Sequence, residues 1–234
     1  VGGTTVLAAI GQAFFSIGVA MGGMMTYGSY LPRDISITES VFFIVLADTA
    51  VAILAGLVIF PAVFAHGLDP AGGPGLIFQT LPVAFAQMPG GHAFSVLFFL
   101  MLSVAGITSM VGLLETVNHW AEERYGIPRH RSALIAVVSI AAFGVVSLMS
   151  YNSLANVGIG GMNFNAILEF LYESILLPVG GLMIAVFAGW VMKKEASRDE
   201  LTSLNARTYE IWHFLIRFIV PPALLVIIVS GIAE

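Results

Sequence analysis

The sequence predicts an all-α, multi-pass membrane protein with six transmembrane helices. Of its 234 residues, 58% are hydrophobic and only 10% are charged, against about 25% charged in an ordinary soluble domain. The mean hydropathy is +0.96, so lipid is the expected solvent. The chain contains no cysteine, which excludes disulfides and thiolate metal sites. It also has no basic run that would indicate nucleic acid as a partner.

Six segments are long and apolar enough to cross a bilayer, which takes about 20 mostly apolar residues. They cover residues 4–31, 38–65, 92–120, 132–150, 164–192 and 211–232. The long connection over residues 66–91 is punctuated by prolines. Within it, residues 81–89 resemble a short amphipathic helix lying at the membrane surface.

The basic residues predict the orientation of these spans. All nine Lys and Arg lie on alternate connections or at an adjoining span end: Arg33, Arg124, Arg129, Arg131, Lys193, Lys194, Arg198, Arg207 and Arg217. The positive-inside rule makes these connections cytoplasmic, so both ends of the chain are expected on the extracellular side of the cell membrane. Val1 is not an initiator methionine, and no signal peptide follows it. An odd number of spans, and hence an N-terminal part of a longer protein, is therefore expected before residue 1.

The first span has glycines in its middle. Residues 14–30 read FFSIGVAMGGMMTYGSY. Gly18 and Gly22 form a GxxxG pattern, which often only lets two helices approach closely. Each further glycine lowers helix propensity by about 1 kcal/mol, and this favours a helix that unwinds near residues 16–21. Unwound backbone at membrane depth is tolerated where it lines a cavity.

Several polar residues lie deep in the spans: Asp48, Glu115, Glu169 and Glu173. Such groups cost about 2.5–3.5 kcal/mol on insertion scales and usually face a cavity or a partner. Asp48 either binds a cation or is protonated and hydrogen-bonded to a neighbouring helix. Glu169 and Glu173 lie four residues apart on one helix face, where they form a proton site or face the bundle interior or the outer vestibule.

Adjacent hydroxyls lie near the middle of the third span. Thr108 and Ser109 either hydrogen-bond within and between helices or supply hard oxygens to a desolvated alkali cation. The carbonyl of Ala105, one turn earlier, would complete such a cation site.

Three stretches, in the same order and spacing, resemble the neurotransmitter:sodium symporter family. GQAFFSIGVAMGGMMTYGSYLPRD is similar to its sixth span, FQTLPVAFAQMPGG to the outer loop before its eighth span, and AGITSMVGLLE to its eighth span. The resemblance runs over essentially all 234 residues and implies a LeuT-type fold. Residues 1–192 would then be the second five-span inverted repeat, 193–210 a cytoplasmic connection and 211–234 the final span. Five earlier spans would be absent.

The resemblance also implies site residues. Sodium site one would contain Ser16 and Asp48, and sodium site two the Ala105 carbonyl with the Thr108 and Ser109 hydroxyls. The amino-acid pocket would be formed by Phe15, Ser16, Gly18, Met21, Ser109 and Leu113. Tyr30 and Glu123 would belong to the inner gate, while Asn163 falls where many relatives place an outer-gate aspartate.

From these positions we expect sodium-coupled symport of an amino acid by alternating access, with two Na⁺ ions. Ala52 stands where chloride-dependent relatives have serine, and Asp48 is near it in sequence, so no chloride requirement is expected. Gly18 and the adaptable Met21 indicate a roomy apolar pocket for a hydrophobic or aromatic amino acid. The other expected partners are membrane lipid, the missing N-terminal spans and a second copy in a homodimer.

Two rival functions use the same residues. A cation channel could use the same oxygens and the same broken helix. An intramembrane enzyme could use Asp48 as an acid or the five histidines as metal ligands. The histidines lie in connections or near span ends and show no HExxH spacing, so enzymatic activity is not expected.

Overall fold

The computed structural model describes residues 2–65, 67, 76–154, 157–160 and 162–233. These residues are almost entirely helical. The α-helices are α1 (Gly3–Ile17), α2 (Gly23–Ser29), α3 (Ile37–Ala65), α4 (Leu81–Ala86), α5 (Gly91–Tyr125), α6 (Arg129–Met149), α7 (Phe164–Glu169), α8 (Leu177–Val186), α9 (Lys194–Glu200), α10 (Ala206–Phe214) and α11 (Val220–Ala233). A short hairpin pairs β1 (Gly158–Ile159) with β2 (Met162–Asn163) in antiparallel fashion.

The prediction of six spans is confirmed, with one of them in two pieces. Within the described residues, five helical segments are long and apolar enough to cross a membrane: Ile37–Ala65, Gly91–Tyr125, Arg129–Met149, Phe164–Val191 and Ala206–Gly231. The last two contain π-helical turns: Phe170–Leu176 joins α7 to α8, Phe187–Val191 follows α8, and Leu215–Ile219 joins α10 to α11. The predicted first span is instead formed by α1, a 3₁₀ turn over Val19–Met21, and α2.

Three helices begin or end beyond the approximate span bounds expected from the sequence. Helix α5 continues to Tyr125 and α6 begins at Arg129, so the predicted connection after residue 120 is mostly helical. Its residues Ala121 to Arg124 are good helix formers, and a helix can extend past the lipid. Helix α10 starts at Ala206 because the Asn205 side chain accepts a hydrogen bond from the Thr208 amide at 2.8 Å.

The long loop contains the short helix that the sequence predicts. A π-helical turn over Leu76–Thr80 leads into α4. The expected loop over 66–91 falls partly on residues 66 and 68–75, which lie outside the described residues. Residues 155, 156 and 161, in the connection after α6, also lie outside them.

The chain divides into two compact units, one formed by Val1–Phe42 with Leu113–Glu234 and one by Phe43–Gly112. The core of the second unit is built from the end of α3, from α4 and from the start of α5. Its buried side chains are Val63, Leu81 and Phe85. The boundaries predicted at residues 192 and 210 separate the repeat, the connection and the final span. The two compact units are defined by packing, so they do not test those boundaries.

In the first unit, α8 packs against α11 and against the 3₁₀ turn between α1 and α2. Leu177, Pro178 and Ala185 of α8 are buried there. The predicted connection over 193–210 is held by Tyr209, which is 1% exposed and donates its hydroxyl proton to the Lys194 carbonyl at 3.0 Å.

Large apolar side chains are exposed along most spans. Met101 is 70% exposed and Leu148 is 69% exposed. A contiguous apolar surface of this kind is unfavourable in water, so its natural surroundings are lipid and other membrane helices.

Candidate functional site

The first span breaks at two glycines. Helix α1 ends at Ile17, Gly18 has φ 69° and the 3₁₀ turn follows. Gly22 has φ 76°, and α2 begins at Gly23. The predicted unwinding is therefore confirmed, but it starts two residues later than expected, because Ser16 still belongs to the last turn of α1.

Only glycine fits these two positions. Positive φ values cost an ordinary L-residue about 1–2 kcal/mol. At Gly22 an added Cβ would also lie 3.0 Å from Cγ2 of Thr116 on α5. The Gly18 amide donates to the Phe15 carbonyl at 3.0 Å, and the C-terminal end of α1 carries a partial negative charge.

A cavity of about 430 Å³ lies beside the break. It is lined by Ala20, Met21, Leu113, Thr116, Val117, Tyr172, Leu176 and Leu177. The structure thus brings together two of the residues implied for the substrate pocket, Met21 and Leu113. A mostly apolar lining beside irregular backbone is typical of a small-molecule site.

A second cavity, of about 250 Å³, lies on the other side of Leu177. Phe15, Gln12 and Glu173 are among its lining residues, and Leu177 lines both cavities. Glu173 therefore lines this cavity.

Tyr172 contacts both Phe15 and Met21, and it is not among the predicted site residues. Its ring meets the Phe15 ring edge to face at 5.9 Å between centroids. Its hydroxyl lies 3.8 Å from Sδ of Met21. Tyr172 belongs to the π-helical turn after α7, and a wide turn at a membrane helix is often functional. The proline at 178, just inside α8, was the available signal.

The predicted second sodium site lies on one turn of α5. The Thr108 hydroxyl donates to the Ala105 carbonyl at 2.9 Å. Ser109 is the next residue, and both hydroxyl residues are exposed at the surface of their unit. The bond within the helix is the ordinary arrangement for such a hydroxyl, and it places two of the three expected oxygen ligands next to each other.

The two residues of the predicted first sodium site belong to different compact units. Ser16 is exposed in the last turn of α1, and Asp48 is half-buried in α3. Helix α3 is by itself long and apolar enough to cross a membrane, whereas α1 is one piece of the broken first span. Gly18 and Ser109, the remaining substrate candidates, also fall in different units.

A polar cluster joins the ends of α2, α5 and α6. The Tyr30 hydroxyl donates to Oε1 of Glu115 at 2.8 Å and lies 3.1 Å from Nδ1 of His119. The guanidinium of Arg129 donates to Oε2 of the same carboxylate. Glu115 is only 7% exposed, and a carboxylate so buried requires a paired charge and hydrogen-bond donors.

Two members of this cluster were expected from the sequence, Tyr30 as a gate residue and Glu115 as an acidic residue deep in a span. Arg129 and His119 were not expected there. The signal for Arg129 was available, because a buried acid needs a partner and Arg129 follows soon after the same span. Glu123, the other predicted inner-gate residue, lies at the rim. Its carboxylate is 3.8 Å from the His119 ring, and its side chain is 79% exposed.

Asn163, the predicted outer-gate position, caps a helix. Its side-chain oxygen accepts from the Ala166 amide at 2.9 Å, and its side-chain nitrogen donates to the Ser150 carbonyl at 3.3 Å. Both hydrogen bonds fix the start of α7. A carboxylate lies one and a half turns later in the chain, where Glu169 accepts from Asn165 at 3.0 Å.

Comparison with known proteins identifies the family of this chain. A sequence profile of the sodium:neurotransmitter symporter family matches residues 4–234. The chain belongs to the sodium:neurotransmitter symporter family. The structure of MhsT in complex with L-phenylalanine superposes with a TM-score of 0.89 at 38% identity, over 96% of this chain and 51% of that one. The predicted LeuT-type fold is thus confirmed.

Other relatives of this chain include bacterial and animal transporters. An uncharacterised sodium-dependent transporter of Bacillus subtilis is 33% identical over 97% of this chain and 51% of its own length. The sodium-dependent dopamine transporter of Bos taurus is 29% identical over 95% of this chain and 32% of its own length. The chain therefore spans about half the length of the bacterial relatives it matches, or less for the animal one.

Proposed function

We propose that this chain supplies the second repeat and final span of a sodium-coupled amino-acid symporter that works by alternating access. The observation that carries the proposal is the helix break at Gly18–Gly22 with a cavity on it. Met21, Leu113 and Tyr172 line that cavity, and Phe15 contacts the Tyr172 ring. A helix end with partial negative charge beside an apolar cavity suits a ligand with a charged backbone and an apolar side chain.

The energy for accumulation would come from sodium. One Na⁺ moving through ~100 mV and down a ~tenfold gradient releases about 2.3 and 1.4 kcal/mol, or about 3.7 kcal/mol together. Two ions would sustain an accumulation of about 10⁵-fold at most. The sodium ions would drive transport if they help to assemble the substrate site, because the binding of sodium and the binding of substrate are then coupled.

We assign the first ion to Ser16 and Asp48, and the second to the Ala105 carbonyl with Thr108 and Ser109. The carbonyls at the C-terminal end of α1 would add partial negative charge near the first ion. Asp48 gives this chain a carboxylate in α3, so chloride is not required. Tyr30, Glu115 and Arg129 would close the cytoplasmic end, with Glu123 at its rim.

Replacing Thr108 and Ser109 together by alanine is expected to abolish sodium-dependent uptake, because two oxygen ligands of one ion are lost. The measurement is uptake against sodium concentration in proteoliposomes that contain the protein as the cell makes it. Asp48→Ala should have the same effect through the other ion.

The matched control is Ser103→Ala. Ser103 lies on the same helix, and its hydroxyl also bonds to its own helix, at 2.7 Å from the Phe99 carbonyl. This control should keep sodium dependence. Unchanged sodium dependence in both site variants would reject the two assigned sites.

The proposed substrate is a hydrophobic or aromatic amino acid. The lining of the larger cavity is apolar apart from Thr116 and the Tyr172 hydroxyl, and its about 430 Å³ fits within the about 300–1,000 Å³ of typical ligand sites. Phenylalanine and leucine are expected to compete for uptake at concentrations at least tenfold lower than glycine or lysine. Equal competition by glycine would contradict the assignment of this cavity.

A cation channel is the alternative that shares the broken helix. Met21, Leu113 and Phe15 form apolar surfaces and not a ring of repeated oxygen ligands, which favours the symporter. Solute flux that tracks sodium flux identifies a symporter, whereas sodium current without solute identifies a channel.

We place the protein in the cell membrane, with the ends of this chain outside, as a homodimer completed by five earlier spans.

A further inference from the structure

The larger cavity at the helix break has two polar side chains in its lining, Thr116 and Tyr172. The hydroxyl oxygen of Thr116 is buried and lies against the break, 3.8 Å from the position of a Cβ added at Gly23. Tyr172 is 36% exposed. Among the described residues that line this cavity, Tyr172 therefore carries the polar side-chain group that a bound molecule can reach.

The Tyr172 hydroxyl keeps its acceptor capacity free. A phenolic hydroxyl has one proton to donate and oxygen lone pairs that accept. Within the described part of the chain, the proton points to Sδ of Met21, 3.8 Å from the oxygen. A thioether is a weak acceptor, but this contact still orients the hydroxyl. The oxygen can then accept a hydrogen bond from a ligand while its own proton stays on the sulfur.

The Tyr172 ring is held from two directions. Its edge-to-face contact with Phe15 has 5.9 Å between centroids and an interplanar angle of 77°. Its backbone carbonyl accepts the amide proton of Leu177, five residues later, which is the hydrogen bond of a π-helical turn. Leu177 is 5% exposed, so this turn is anchored in the core of its unit. A group that is already fixed loses little freedom when a ligand binds to it.

An acceptor among apolar side chains suits a ligand whose apolar side chain carries one hydrogen-bond donor. The phenol O–H of tyrosine and the indole N–H of tryptophan each combine a large aromatic surface with such a donor. The side chains of phenylalanine and leucine have none. A cavity that offers only apolar surface would instead disfavour the donor, because burying a donor without a partner is costly.

We propose that Tyr172 is a specificity-determining residue, and that its hydroxyl oxygen accepts a hydrogen bond from the side chain of an aromatic amino acid with a donor, tyrosine or tryptophan. The proposal rests on the proposed function, since it takes this cavity as the substrate site. It narrows the class of hydrophobic or aromatic substrates to those whose ring can bind the Tyr172 oxygen.

The test is competition for sodium-dependent uptake of labelled leucine, in proteoliposomes that contain the protein as the cell makes it. Inhibition constants are measured for phenylalanine, tyrosine and tryptophan with the unaltered protein and with Tyr172→Phe. The ratio of the tyrosine constant to the phenylalanine constant is expected to rise about tenfold in the variant, and the tryptophan ratio likewise. A tenfold factor corresponds to about 1.4 kcal/mol, which is within the range of one hydrogen bond.

Analogues without the donor test the same hydrogen bond from the substrate side. O-methyltyrosine and 1-methyltryptophan keep the aromatic ring but have no donor on it. Their constants relative to phenylalanine should differ less than twofold between Tyr172→Phe and the unaltered protein. A tenfold rise for these analogues as well would show that the variant changes the shape of the cavity, and it would overturn the proposal.

The matched control is Tyr27→Phe, which removes a hydroxyl elsewhere in the same compact unit. Tyr27 lies on α2, is 48% exposed and is not among the residues that line the two cavities at the break. All of the ratios should stay within twofold of those of the unaltered protein. A rise in the tyrosine and tryptophan ratios equal to that of Tyr172→Phe would overturn the proposal.

Failure of this proposal can be told apart from failure of the proposed function. Sodium-dependent leucine uptake with the same tyrosine and tryptophan ratios in both proteins overturns only the role of Tyr172. Absence of sodium-dependent uptake of every amino acid by the unaltered protein overturns both. If Tyr172→Phe transports too slowly to measure, equilibrium binding of the same amino acids to the detergent-purified protein gives the ratios, and the same tenfold change is expected.

Discussion

Uptake is expected to fall at least tenfold when Gly22 is replaced by alanine. The residue would have to keep φ near 76°, which costs about 1–2 kcal/mol for a residue with a side chain. Alanine also favours the unbroken helix over glycine by about 1 kcal/mol. Together these terms shift the balance against the broken helix by about 2–3 kcal/mol, or about 30- to 150-fold.

The control for this variant is Gly28→Ala. Gly28 lies inside α2, and an added Cβ there would meet no atom within 4 Å. Uptake should persist, and the protein should be slightly more stable because alanine is the better helix former. Initial uptake rate, corrected for the amount of protein in the membrane, is the measurement for both variants.

A further variant separates backbone strain from the contact with Thr116. In Gly22→Ala/Thr116→Ser, the methyl group 3.0 Å from the new Cβ is removed, while the positive φ remains. Uptake should recover only in part. Full recovery would mean that the contact and not the backbone conformation is the constraint, and normal uptake by Gly22→Ala itself would show that transport needs no break at this residue.

The sequence could predict the spans and the break because both depend on local composition. Runs of about 20 apolar residues indicate spans whatever their neighbours are, and clustered glycines weaken a helix wherever they occur. The sequence could not predict which glycines take positive φ. That depends on packing, since a Cβ added at Gly22 would lie 3.0 Å from Cγ2 of Thr116 on α5, whereas a Cβ added at Gly28 would meet no atom within 4 Å.

The parts of the candidate site that the sequence missed depend on contacts between distant segments. Tyr172 contacts Met21, which is 151 positions away in the chain, and it does so from the π-helical turn after α7. Asn163 is a different case. The family resemblance placed it at the outer gate, and in the structure its side-chain oxygen caps the start of its own helix, α7.

Replacing Arg129 by glutamine is expected to lower the free energy of unfolding by about 2–3 kcal/mol. Glu115 is 7% exposed. Without the Arg129 guanidinium, the Glu115 carboxylate loses its paired charge and retains the hydrogen bond from the Tyr30 hydroxyl. Breaking a fully buried ion pair costs about 3–5 kcal/mol. The smaller value applies here because the Arg129 side chain is 62% exposed and water can replace part of what it loses.

An exposed ion pair on the same chain provides the control. Lys194 and Glu210 are 2.8 Å apart with side chains 47% and 54% exposed, so Lys194→Gln should cost less than about 1 kcal/mol. Unfolding in detergent is the measurement, with Glu115→Gln and the Glu115→Gln/Arg129→Gln double variant completing a double-mutant cycle.

The double variant should be more stable than the sum of the single losses implies, because no charge is then left buried without a partner. Additive losses would show that Arg129 does not stabilise Glu115. The same cycle bears on gating. If this cluster holds α2, α5 and α6 together at one end of the spans, loosening it should also raise the labelling rate of a cysteine placed at Met21 from the cytoplasmic side.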